Sequence, residues 1–267
     1  MPRHVPPVEW GPATYTPEDR ERVRADLISI ARADARIGGG ALTGSASIGR
    51  EDRWSDVDLA FGVIDPSQIA ATLADLTARM YERHGAVHHV DVRAGTWIYR
   101  VFLLANSLQV DVALAPQVDF AAKAPTFRLL FGAAAEPRSS EPRTSEELLG
   151  YAWLYALHVR SAIARGKLWQ AEYMVSAARD SVLAAACLRH GVPAVEGRGL
   201  DQLPPAITDP LRGALVTRLE PDEIARAFTV LIERLSAELR ATDAALASRL
   251  EPALDDLLSS TRAALAT

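Results

Sequence analysis

The chain has one cysteine, Cys187, among 267 residues. A lone thiol closes no intrachain disulfide, and no zinc-ligand spacing accompanies it. No run of about eighteen apolar residues exists, so no membrane-spanning helix is expected. The segment Met1 to Pro17 is rich in proline and lacks the apolar stretch of a secretory signal. The expectation is a cytoplasmic protein. Positive charge is also short, with 29 Lys and Arg against 34 Asp and Glu, for a formal net charge of -5. A polymeric anion such as nucleic acid meets no overall cationic field, which makes a small substrate the better expectation. The chain shows no internal repeat and no low-complexity tract.

With 49% hydrophobic residues, the chain can bury one large core or two modest ones. Thr16-Pro17-Glu18-Asp19 reads as a helix start, and Val23, Leu27, Ile30 and Ala31 continue it at helical spacing. Gly38-Gly39-Gly40 is expected to stop that helix. A short strand, Ala41 to Thr43, then runs into Gly44-Ser45, and a strand holding Asp56 and Asp58 ends near Val63. Asp65-Pro66 opens a second helix. Three strand-like runs follow, Ala86 to Arg93, Thr96 to Leu104 and Leu108 to Leu114, the last two joined at Asn106-Ser107.

Beyond Pro116, the prolines 125, 137 and 142 with Ser139-Ser140 read as a linker or an exposed crossing. From Thr144 onward the pattern is helical: Ser145 to Arg165, Leu168 to His190, a short piece near Pro210 to Leu219, Asp222 to Arg240, and Thr242 to Ala264. Ile224, Ala227, Phe228, Leu231, Leu235 and Leu239 trace one apolar stripe. The expected architecture is α+β: a mixed sheet with flanking helices over residues 1–140, then an all-α bundle over residues 141–267.

Ser55-Asp56-Val57-Asp58-Leu59 carries the chemistry that stands out. On a strand, the i, i+2 spacing puts both carboxylates on one face and Val57, Leu59, Phe61 and Val63 on the other. Leu108 to Leu114 repeats the arrangement, with Gln109, Asp111 and Ala113 opposite an apolar row. Three carboxylates on neighbouring strands suit divalent magnesium and a triphosphate. Asp91 is the competing third acid. His88 and His89, being adjacent on a strand, point to opposite faces and do not share an ion. Gly44 lets backbone approach a phosphate, and Ser45 adds its N–H and hydroxyl; taken alone, a Gly-Ser pair is an ordinary turn.

Gly44-Ser45, Gly49, Asp52 and Ser55-Asp56-Val57-Asp58-Leu59 resemble the signature of the polymerase-beta-type nucleotidyltransferases. The second half is similar to the helical domain of bacterial aminoglycoside and lincosamide nucleotidyltransferases, through Arg165-Gly166-Lys167-Leu168-Trp169-Gln170-Ala171-Glu172-Tyr173 and Arg179-Asp180. The resemblance implies magnesium on Asp56, Asp58 and Asp111, nucleotide phosphates on Gly44 and Ser45, and AMP transfer from ATP to a small hydroxyl-bearing acceptor. Ile48 stands where many small members carry arginine, leaving one phosphate-facing charge to be supplied elsewhere. Glu172, Ser176 and Arg179 form a polar stripe on one helix, about 10 Å from end to end. Lys167 and Arg179 are read as offsetting triphosphate charge and Glu172 as a base facing the acceptor; a solvated helix face is the competing reading. Trp169 and Tyr173 could stack on a base, although helical aromatics are more often core. Rival acceptors are a protein or transfer RNA, and a non-catalytic nucleotide-binding module is the rival to enzymatic function. A homodimer is also compatible with the pattern.

Overall fold

In the computed structural model, which describes residues 15–137 and 143–265, Thr16 starts the first helix through a reciprocal cap. Its hydroxyl accepts from the Asp19 N–H, and the Asp19 carboxylate accepts from the Thr16 N–H. Helix α1 (Pro17–Ala33) closes where the Asp34 N–H bonds the Ile30 carbonyl. The glycine run does not end it. Gly38, Gly39 and Gly40 lie inside strand β1 (Ile37–Thr43). A Cβ on Gly39 would overlap the Ala133 carbonyl and the Phe120 ring, and one on Gly40 would overlap the Phe131 ring. These glycines let aromatic rings rest on the strand.

A four-residue helix α2 (Gly44–Ser47) follows, then β2 (Val57–Val63), α3 (Ile69–Arg83), β3 (Ala86–Ala94), β4 (Trp97–Leu104), β5 (Gln109–Pro116) and β6 (Phe127–Gly132). The strand order is β3-β4-β5-β2-β1-β6. β2 and β5 run parallel, and the other neighbours are antiparallel, which makes the sheet mixed. Alternation then divides the faces. Val57, Leu59 and Phe61 of β2 and Val110, Val112 and Leu114 of β5 pack against Val23 and Leu27 of α1 and Leu73, Leu76 and Met80 of α3. The opposite face has a smaller core, in which Ala60, Ala113 and Ala115 lie with Trp97 and Phe120.

Strand β6 corrects the linker expected after Pro116. Phe127 to Gly132 pairs with β1 and gives the glycine strand its second neighbour. Pro125 lies just before the strand, where a missing N–H costs no ladder bond. Ser139, Ser140 and Pro142 lie outside the described residues, as do residues 1–14 of the proline-rich start.

The described chain divides into two compact units, the second within residues 143–265. That unit is entirely helical in its regular structure: α4 (Ser145–Ala164), α5 (Leu168–Arg189), α6 (Pro205–Leu211), α7 (Pro221–Thr242) and α8 (Ala244–Leu265). The short α6 begins ahead of the expected Pro210. Thr144 and Glu147 cap α4 as Thr16 and Asp19 cap α1. Ala152, Ala156, Ala171 and Ala178 are buried between α4 and α5, where small side chains let the helices approach closely. The predicted stripe of α7 is wholly buried, from Ile224 to Leu239. The architecture is the expected α+β: a mixed sheet with helices, then helices. Among the described residues, no helix is long and apolar enough to cross a membrane.

Candidate active site

The parallel β2–β5 pairing builds the site. Asp58 and Asp111 are direct register partners, so their side chains leave the same face of adjacent strands. Asp56 is the last residue before β2, at the end of the loop from α2, and its carboxylate joins them. Oxygen atoms of Asp56, Asp58 and Asp111 all lie within 4.8 Å of one another. Each of the three is half-buried.

Among the described residues, neither Asp56 nor Asp111 pairs with a cation. Their shared neutral partner is Gln109, whose Nε2 donates to Asp111 Oδ1 at 3.0 Å and to Asp56 Oδ2 at 3.4 Å. Burial, reinforced by the charge of Asp56 and opposed by the Gln109 bond, pushes the Asp111 carboxyl up to about 6. A hard divalent cation is what such a set of oxygens fits: carboxylate donors spaced to meet one ion.

Gly44 closes one side. It sits at φ 58°, and a Cβ there would overlap Asp58 Oδ2. Turn and acid are therefore packed together at a distance that glycine alone permits. Ser45, the next residue, is half-buried, and among the described residues its hydroxyl makes no hydrogen bond. Its carbonyl accepts from the N–H groups of Ile48 and Arg50, which fixes the turn. Ile48 is exposed and contributes no charge.

Two buried arginines, which composition and spacing had not singled out, hold the loop that carries Asp56. Arg20 Nη1 donates to the carbonyls of Asp52, at 2.6 Å, and Ser55, at 3.0 Å. Arg20 Nε lies 3.2 Å from Glu51, which also pairs with Arg24. Within the loop, Asp52 Oδ1 accepts from the Trp54 N–H and the Ser55 hydroxyl. A signal was present: Arg20, Val23, Arg24, Leu27 and Ala31 lie on the one buried stripe of α1. A cation on an apolar stripe needs an internal partner.

Asp91 does not belong to the cluster. It is held by Arg100 in two bonds of 2.7 and 2.8 Å, with its carboxyl below the usual range through that bond. Asp91 pairs with Arg100 and Arg100 with Val112, whose side chain faces the α1–α3 side, opposite Asp111. His89 is on that side too, its Nδ1 2.9 Å from the Tyr81 hydroxyl.

The remaining predicted residues belong to α5 and its cap. Glu172 accepts from the Ser176 hydroxyl at 2.8 Å, and Arg179 donates to Asp180 at 3.1 Å. Lys167 is the N-cap residue of α5 and is exposed. Trp169 and Tyr173 are not core residues: they are 77% and 67% exposed.

No family model matches the chain, and no curated protein matches it. Several solved structures are similar to it, among them the following two. One is an aminoglycoside 6-adenyltransferase from Bacillus subtilis, at 11% identity over 89% of this chain and 97% of that one, with a TM-score of 0.39. The other is a nucleotidyltransferase-like protein from Exiguobacterium sibiricum 255-15, at 15% identity over 82% of this chain and 76% of that one, with a TM-score of 0.35.

Proposed function

We propose that this protein is a magnesium-dependent nucleotidyltransferase that moves a nucleoside monophosphate, AMP from ATP, onto a hydroxyl of a small molecule. The observation that carries the reading is the convergence of Asp56, Asp58 and Asp111 across parallel strands, against a glycine at which a Cβ would overlap Asp58 Oδ2. Magnesium held by these three carboxylates would neutralise charge on the α-phosphate and on departing pyrophosphate. Gly44 and Ser45 are assigned to the β- and γ-phosphates, through backbone and the unbonded Ser45 hydroxyl.

In the reaction, the acceptor oxygen forms a bond to the α-phosphorus as the bond from that phosphorus to the bridging oxygen breaks. Pyrophosphate leaves with the electron pair. The hydroxyl proton passes to a carboxylate, for which Asp111 is assigned. Aminoglycosides and lincosamides are the first acceptor classes to examine.

The test is transfer of label from α-³²P-ATP to a panel of aminoglycosides, lincosamides, cellular protein and transfer RNA, with and without chelator. Chelator-sensitive labelling of a small molecule, lost in Asp58→Asn, supports the reading. Labelling that persists in Asp58→Asn, or that favours protein or RNA, overturns it.

A further inference from the structure

The strand order says from which side the acceptor arrives. Gly44 and Ser45, assigned to the leaving phosphates, follow β1, on one side of the acids; Asp111 is on β5, on the other. In-line displacement puts the entering oxygen opposite the leaving one. The acceptor therefore lies over β5 and the strands beyond it, β4 and β3.

Register shows what it meets there. Residues directly opposite in an antiparallel pair share a face. Asp111 is opposite Val101, and Val101 opposite Val90. Gln109 is opposite Leu103, and Tyr99, opposite Ala113, is opposite Val92. Val90, Val92 and Leu103 are 52%, 53% and 50% exposed. Across β3, β4 and β5 the carboxylates are Asp91 and Asp111, and Asp91 faces the other way, bound to Arg100; His88, opposite Leu103, is the imidazole on this face. The aromatic partners on this face are already taken by an ammonium, Lys123 Nζ lying 4.3 Å from the Trp97 ring centroid and 3.2 Å from the Tyr99 hydroxyl, so a further cation there meets a like charge, whereas a hydrocarbon surface meets Val90, Val92 and Leu103.

Resting on the nucleotidyl-transfer reading, we infer that this largely apolar face beside Asp111 is the acceptor-binding surface, and that it selects a neutral acceptor whose hydroxyl adjoins an apolar body. Val90, Val101 and Leu103 are its specificity-determining residues. A polycationic aminoglycoside is disfavoured here.

The test compares methyl, hexyl and octyl β-glucoside, below their micelle concentrations, with kanamycin as acceptors of label from α-³²P-ATP. The expected kcat/KM for octyl β-glucoside exceeds that for methyl β-glucoside by about tenfold or more, since each buried methylene adds favourable transfer; kanamycin does no better than the methyl compound. In Val90→Ser/Leu103→Ser the chain-length preference disappears, while magnesium-dependent ATP binding and thermal midpoint stay unchanged. Three results overturn the inference yet leave nucleotidyl transfer standing: preference for kanamycin, a flat alkyl series, or ATP binding with no transfer to either class. Self-association abolished by the double substitution gives the face to a second copy and also overturns it. Absence of magnesium-dependent ATP binding removes the parent reading itself.

Discussion

Replacing Gly44 by alanine separates two costs that the structure places at one residue. At φ 58°, an L-residue costs roughly 1–2 kcal/mol relative to glycine. The added methyl also occupies the position of Asp58 Oδ2, so the carboxylate must move out of the cluster. Gly49 is the control, because its φ is 68° and a Cβ there meets nothing within 4 Å. Gly49→Ala bears the backbone cost alone. At about 4–8 °C per kcal/mol for a small domain, both variants should melt roughly 5–15 °C lower by scanning fluorimetry. Affinity for Mn²⁺, read from the free-ion resonance, should fall about tenfold or more in Gly44→Ala, the scale seen when a metal ligand loses its support. In Gly49→Ala it should stay within about twofold of the parent. Equal Mn²⁺ affinity in the two variants would refute the claim that the turn and Asp58 are built around each other.

Further outcomes follow from the same geometry. Asp111, with its carboxyl near 6, must be deprotonated to bind a metal, so Mn²⁺ affinity should be flat at higher pH and fall about tenfold per pH unit below it. The sign for the metal-free fold is opposite to that of a salt-bridged acid: the raised value gives stability as pH drops through about 6, and Asp111→Asn should remove that dependence in thermal melts. Arg20→Met strips the donor from the Asp52 and Ser55 carbonyls; turnover should drop about tenfold or more, with ATP KM changed less, and Arg20→Lys should restore part of it. Asp91→Asn loses the Arg100 pair, worth about 1 kcal/mol or less near the surface, and should leave Mn²⁺ affinity unchanged; a loss of metal binding would return Asp91 to the site.

The sheet's inner face was legible because alternation states it plainly: Val57, Leu59 and Phe61, then Val110, Val112 and Leu114, are all buried together. Asp58 and Asp111 were legible for the same reason, each interrupting an apolar strand on its polar face. The parallel pairing that makes them partners was not, since pairing depends on a crossover through α3, β3 and β4 rather than on any local pattern. The glycine run of β1 misled because glycine signals both reversal and close approach, and the rings that approach it come from residues 120 and 131. Strand β6 was obscured by the prolines around it. Exposure of Trp169 and Tyr173 was equally out of reach, for a helical pattern shows which side chains align and not which alignment finds a partner.

The most direct measurement is calorimetric titration of ATP with and without Mg²⁺ into the parent protein and into Asp56→Asn/Asp58→Asn. The account predicts binding that requires Mg²⁺ in the parent and loses that requirement, along with about tenfold or more of its affinity, in the double variant. Magnesium-dependent binding of the same strength in both proteins would contradict it.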